Sequence, residues 1–186
     1  NFVMVMDYIK DGDLRRFLDN TLITFQGKLK QLKSITEGLK AIHQKGLVHR
    51  DLHPGNILVS NSEIQIMYYI TDLGLSQPAN YQKQKGKIFG VLPYVAPEVL
   101  KGGYYSPASD VYAFAIIAYE LFAQRYPYSE LDLSDEDLAI AVCRGERPKL
   151  DELKIPQLLK DLIKKCWAVD PEQRPTATEL TNTLSI

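Results

Sequence analysis

Cysteine is scarce in this chain: of 186 residues only Cys143 and Cys166 are cysteine, and neither lies close to the other or to the three histidines. That excludes a disulfide framework and a Cys/His zinc site, and it fits a reducing, intracellular compartment, with a cytoplasmic location expected. An excess of either charge is missing too. The formal net charge is −1, so no general attraction to nucleic acid or to a membrane surface follows. No apolar run is long enough to cross a bilayer; the most apolar one, Val111 to Ala123, is short and contains Glu120. No initiator Met and no signal peptide open the sequence, which runs from Asn1 straight into Phe2-Val3-Met4-Val5-Met6, and it reads as a piece cut inside a larger domain. What is present is 45% hydrophobic residues, enough at this length to bury a sizeable core in one globular unit.

Periodicity predicts a mainly α fold with short β-hairpins. Phe2 to Met6 reads as a strand, followed by a turn at Gly12 into a helix that reaches Leu18. Leu29, Leu32, Ile35, Leu39 and Ile42 recur at three- and four-residue spacings, which predicts an amphipathic helix from Phe25 to Lys45 stopped by Gly46. His43 on that helix reads as a partly buried surface residue without chemistry. Ile64 to Ile70 reads as a strand. Ser106-Pro107 supplies an N-cap and a proline at the first helical position for an apolar helix from Ala108 to Ala123. Ser134 to Asp137 reads as a capping box for a helix to Cys143, Pro156 opens the next helix, and Thr176 with Glu179 caps the last.

The chemistry concentrates in His49-Arg50-Asp51-Leu52-His53-Pro54-Gly55-Asn56 and, a hairpin later, Asp72-Leu73-Gly74. An Asp and an Asn five apart on one loop, with a second Asp at the end of a strand, would converge three oxygen-bearing side chains on one small volume. Phosphoryl transfer from a metal-bound nucleotide needs such a set. A hard Mg²⁺ ion takes a carboxylate and an amide oxygen, while the remaining Asp can face an incoming hydroxyl.

This pair of segments resembles the protein kinase catalytic loop and its metal-binding Asp-Phe-Gly motif, with Leu73 in the Phe place. Ala96-Pro97-Glu98 resembles the Ala-Pro-Glu that ends a kinase activation segment, and Asp110-Val111-Tyr112-Ala113-Phe114-Ala115 resembles the kinase core helix. Cys166-Trp167, Asp170-Pro171 and Arg174-Pro175-Thr176 resemble the end of tyrosine-kinase-like and tyrosine kinases. The resemblance implies a protein kinase-like fold in which residues 1–186 are the hinge strand and the C-terminal (large) lobe. The Gly-rich loop, strand Lys and helix Glu of the small lobe are found nowhere in the 186 residues.

The resemblance also implies ATP and Mg²⁺ as cofactors, a protein as substrate, and a role for each matched position. Asp51 would accept or orient the substrate hydroxyl proton, while Asn56 and Asp72 would hold metal. Arg50 would partner a charged group on the activation segment. His49 and Leu73 would be internal packing residues. Met6 would be the gatekeeper, the backbone of Asp7 and Ile9 would hydrogen-bond adenine, Asp13 would face the ribose and Leu58 would lie under the base. Asp110 would hold the catalytic-loop backbone, and Arg174 would pair with Glu98.

Two departures from the family pattern are coupled. His53 stands where serine/threonine kinases usually carry Lys, so it joins the candidate catalytic set with a weaker charge. Gly90-Val91 stands where they show Gly-Thr, and that Thr partners the absent Lys. Either the pair was replaced together or both were lost as catalysis relaxed. No Ser or Thr lies between Ser76 and Val91, so switching by phosphorylation would use Tyr81 or Ser76 or be absent. Lys83, Lys85 and Lys87 read as a solvated loop.

Two functions follow. One is a tyrosine-kinase-like protein kinase that transfers the ATP γ-phosphoryl group to a Ser/Thr hydroxyl, with Tyr the alternative acceptor, and has negligible turnover in this piece alone. Pro54 and the lack of an Ala-Ala-Arg-Asn pattern favour Ser/Thr. The other is a pseudokinase-like scaffold that binds partners through Ser134 to Arg144 and the Lys83 to Lys87 loop.

Overall fold

A computed structural model describes residues 7–61, 66–79 and 88–185. Met6, the strand expected at Phe2 to Met6, Tyr81 and the lysines Lys83, Lys85 and Lys87 lie outside these described residues, as do Ile64 and Gln65.

Asp13 caps the first helix, α1 (Leu14–Asn20), by accepting the Arg16 N–H at 3.0 Å. Helix α2 (Phe25–Gln44) starts where Thr24 Oγ1 accepts the Gly27 N–H and ends one residue before the Gly46 turn (φ +70°). Its buried stripe of Leu32, Ile35 and Leu39 is the one the spacing predicts.

Four short strands form two antiparallel pairs. β1 (Leu47–Val48) pairs antiparallel with β4 (Gln77–Pro78), and β2 (Ile57–Asn61) pairs antiparallel with β3 (Ile66–Ile70), Ile57 opposite Ile70 and Leu58 opposite Tyr69. A short helix α3 (Pro97–Leu100) precedes α4 (Pro107–Ala123), the axis of the core. Ser109 Oγ accepts the Ser106 N–H at 3.0 Å and donates to the Ser106 carbonyl at 2.7 Å, closing the N-terminus. From Ser109 to Leu121 every residue of α4 is buried; a helix that is apolar all round belongs in the centre of a domain. Ala113 and Ala115 lie in this buried stretch, and their small side chains keep the packing close.

Helices α5 (Asp135–Arg144), α6 (Gln157–Cys166) and α7 (Ala177–Thr183) complete the described fold. α7 packs on α2, and α6 on α4. The expected capping box at α5 forms only in half. Ser134 Oγ accepts the Asp137 N–H, but the Asp137 carboxylate takes the Ser134 hydroxyl rather than its backbone N–H. Asp is one methylene shorter than the Glu that makes this reach in α7, where Glu179 does accept from Thr176 N at 2.7 Å. Pro156 stands one position earlier than a first helical residue, as the N-cap of α6.

Candidate active site

The loop between β1 and β2 is held from below by one buried carboxylate. Asp110, near the start of α4, accepts the backbone N–H of His49 at 2.8 Å on Oδ2 and of Arg50 at 3.0 Å on Oδ1. Its Oδ2 also lies 2.9 Å from His43 Nε2, so His43 is no idle surface residue. A buried Asp is costly unless its lone pairs are filled, and here three donors from two segments fill them. His43 falls four residues after Leu39 on the buried stripe of α2, and a polar residue at such a position needs a partner; that was the available signal. The same bonds hold Arg50 at φ +76°, a backbone conformation that a long side chain avoids unless its surroundings impose it.

Asn56 joins the loop's two ends. Its Nδ2 donates to the Asp51 carbonyl at 2.9 Å and to Asp51 Oδ2 at 3.2 Å. Two oxygen acceptors fix which side of the amide carries nitrogen, so Asn56 Oδ1 is left for another partner. Thr71 is bracketed by the same loop: its N–H donates to Asn56 O at 2.9 Å, and its carbonyl lies 2.9 Å from His49 Nε2. Because His49 Nδ1 accepts the Asp51 N–H at 3.3 Å, the ring proton sits on Nε2 and points at Thr71. Asp72 therefore follows a residue tied at both backbone groups to the catalytic loop. It is exposed, in the left-handed region (φ +58°), with Oδ1 accepting the Gly74 N–H at 3.3 Å.

The nucleotide-side candidates converge on β2. Asp13 forms an isolated antiparallel bridge with Leu58, and the Val59 N–H reaches the Gly12 carbonyl at 2.9 Å. The proposed ribose and adenine contacts thus adjoin, although one Asp13 oxygen is already engaged by α1. Asp7 is exposed and Ile9 half-buried in the segment leading to that turn.

One expectation needs correction. Leu73 is 49% exposed and is no internal packing residue, since no described element covers that side of the 72–74 turn. The charged partner expected for Arg50 belongs to the activation segment, of which residues 80–87 lie outside the described residues; within the described residues the contacts of Arg50 are aromatic. Its guanidinium lies 4.7 Å from the ring centres of both Phe89 and Tyr105, and Nη1 donates to the Leu75 carbonyl at 3.4 Å. Tyr105 is clamped there by Phe89, whose N–H donates to the phenol oxygen while the phenol donates to the Phe89 carbonyl at 2.6 Å. Aromatic faces attract a desolvated guanidinium, so both rings stabilise this cation.

His53 sits beside Asp51. Its Nδ1 accepts the Gly55 N–H at 3.1 Å, its Nε2 stands 3.5 Å from Asp51 Oδ1, and its ring is 6.1 Å from that of Tyr94. Burial lowers its basicity below the ordinary histidine range, Arg15 and His49 add to that, and Asp51 and Asp13 oppose it. The neutral ring is favoured over the imidazolium. Tyr94 leads away to a second buried cluster: its phenol bonds Glu120, and Arg15 reaches Tyr94 Oη at 2.8 Å and Glu120 at 3.3 Å. Burial raises the Glu120 pKa against the pull of those two partners.

The sequence matches the protein kinase domain family model over residues 1–184. It is 33% identical to a probable serine/threonine-protein kinase gdt2 of Dictyostelium discoideum over 93% of this chain and 11% of that protein. It is 33% identical to the human receptor-interacting serine/threonine-protein kinase 1 over 94% of this chain and 28% of that protein. It is 32% identical to a probable serine/threonine-protein kinase PkwA of Thermomonospora curvata over 98% of this chain and 24% of that protein. The chain belongs to the protein kinase domain family. Members of this family use ATP and Mg²⁺ in general. The chain spans between about a tenth and about a quarter of the length of these relatives. No helix among the described residues is long and apolar enough to cross a membrane.

Proposed function

We propose that this chain is the hinge and large lobe of a serine/threonine protein kinase, carrying the proton-accepting and metal-holding half of its active site. The observation that carries the reading is the Asn56 amide. By spending its nitrogen on Asp51, it orients the base and leaves its own oxygen for another partner, while the exposed Asp72 carboxylate has one oxygen on the Gly74 N–H and the other to offer. Asn56 Oδ1 and Asp72 form a hard oxygen pair suited to Mg²⁺, which supplies neutralisation of phosphate charge when bound. Asp51 Oδ1 is fully buried, and Oδ2, which also accepts the Asn56 amide at 3.2 Å, is the oxygen assigned to the substrate hydroxyl. As the hydroxyl oxygen bonds to the γ-phosphorus and the β,γ-bridging bond breaks, the hydroxyl proton passes to Asp51 Oδ2 and ADP leaves. Asp13 and Leu58 take the ribose and adenine, with the backbone of Asp7 and Ile9, and with Met6 beside the base.

The Gly-rich loop, Lys and Glu that cover the phosphates in this family have no counterpart in the 186 residues, so the piece alone binds nucleotide weakly and turns over negligibly. The test is phosphorylation of Ser-, Thr- and Tyr-containing peptides by the full-length protein with Mg²⁺ and labelled ATP. Ser/Thr labelling that Asp51→Asn lowers by roughly 10²–10⁴-fold is expected. Turnover that survives Asp51→Asn overturns the reading, as does robust Asp51-dependent turnover by the 186-residue chain the claim of inactivity.

A second reading, a pseudokinase-like scaffold, is favoured by one observation. The α5 side presents Leu133 (44% exposed) and Ile140 (49% exposed) to solvent, an apolar surface the catalytic reading does not use.

A further inference from the structure

One oxygen in the catalytic loop has no hydrogen-bonding partner. Asp51 Oδ1 is buried, and among the described residues no group forms a hydrogen bond to it. It borders a small cavity of about 10 Å³ lined by Gly90, Val91 and Tyr94 among others, and Val91 brings only methyl groups to that space. Gly90, at φ +92°, presses its backbone against the carboxylate: a Cβ there would stand 3.1 Å from Oδ1 and 3.3 Å from the Arg50 carbonyl.

The donor in reach is His53. Its Nε2 is 3.5 Å from Oδ1, an electrostatic contact still too long for a formed hydrogen bond. Catalytic bonds are often this loose before substrate is bound and tighten in the complex. The tautomer is set from the other side of the ring. Nδ1 accepts the Gly55 N–H, so the one proton of the neutral ring lies on Nε2, facing Asp51. Gly55 also makes room for the ring, because a Cβ at 55 would meet His53 Cε1 at 2.9 Å and Nδ1 at 3.0 Å.

We propose that His53 is a positioning residue for Asp51: its Nε2–H closes on Oδ1 while Asn56 Nδ2–H holds Oδ2, clamping the carboxylate in one plane with Oδ2 turned to the substrate. This rests on the reading of Asp51 as the base. A histidine at this place then acts as a neutral hydrogen-bond donor within the protein, in contrast to a fixed cation that would meet the transferring phosphoryl group. The buried setting and the nearby Arg15 and His49 suit that role, since they disfavour the imidazolium.

Two measurements test it, and the first needs no turnover. In the ¹⁵N-labelled chain, long-range ¹H–¹⁵N spectra report the His53 tautomer and its titration. The Nε2–H form is expected at pH 7, and Asp51→Asn should lower the titration midpoint by removing the anion that favours the charged ring. An Nδ1–H tautomer, or a midpoint that Asp51→Asn does not move, overturns the proposal. The second uses the full-length protein. His53→Ala should lower kcat at least about tenfold at unchanged KM for ATP, with only the small drop in thermal midpoint that loss of its cap on the Gly55 N–H brings. His53→Gln, whose amide N–H reaches the same oxygen, should recover most of that loss, and in the Asp51→Asn background His53→Ala should add nothing. Equal losses in the Ala and Gln variants overturn the proposal. If the full-length wild type does not turn over, the kinase reading fails while the spectra still decide the contact.

Discussion

Two arginines in this lobe live in opposite electrostatic settings. Arg174, after α6, is enclosed and every N–H it carries has an acceptor: Nε on Ala168 O, Nη1 on Glu98 Oε1 and Ala108 O, Nη2 on Glu98 Oε2 and Val169 O, at 2.7 to 3.5 Å. Arg50, in the catalytic loop, is 8% exposed yet has one long carbonyl contact, two aromatic faces and an Nε with no acceptor. Its neighbour Asp51 likewise keeps an oxygen unused. A buried polar group without a partner costs roughly 1–3 kcal/mol, a cost proteins carry chiefly where strain or function retains it. The Arg174 pair completes the lobe internally; the Arg50–Asp51 loop leaves valences open and is braced by α4 instead.

The sharpest way to break that contrast is to remove a partner from the completed side. Arg174→Ala strands Glu98 and three backbone carbonyls and should cost about 3–5 kcal/mol, lowering the thermal midpoint by about 10 °C. An unchanged midpoint would show that the completed pair contributes no more than the open loop. Gly90→Ala comes next. It forces a Cβ into the left-handed region and against Asp51 Oδ1, so chemical denaturation should show a loss of about 1–3 kcal/mol, with Mg²⁺–nucleotide binding weakened in parallel. Full retention of both would mean that the loop has slack where the geometry shows contact.

The smallest effect is pH dependence from His53. Its folded pKa lies below the ordinary value of about 6.5, so between the two values the unfolded chain binds more protons and stability rises with pH. The contribution is therefore intact above about pH 6.5 and is lost as pH falls through the folded value. Urea unfolding from pH 7.5 to 5 in wild type and His53→Gln should differ in slope across that window. Identical slopes would place His53 outside the buried setting described here.

Much of the scaffold was legible before any coordinates. The α2 stripe, the Ser106-Pro107 start of α4 and the Thr176–Glu179 box depend on residues within one or two turns of each other, and local patterns carry that information. The Arg174–Glu98 pair, 76 residues apart, was readable only through the family motifs. Other features were not legible. The His43–Asp110 contact joins residues 67 apart, and the Arg50 stack needs Phe89 and Tyr105 from two different segments. The exposure of Leu73 depends on what packs over the 72–74 turn, which an apolar residue type cannot report.

The sequence by itself determined where helices start and stop and which oxygen-bearing residues the loop offers, because caps, turns and motif spacing are local. Only the tertiary structure decided that the His53 ring faces Asp51 in a setting that disfavours its charge, and that Phe89 and Tyr105 pack on the Arg50 guanidinium. Charge state and partner depend on the dielectric and the neighbours that α1, α4 and the 88–105 segment bring together, and no short stretch of chain contains those.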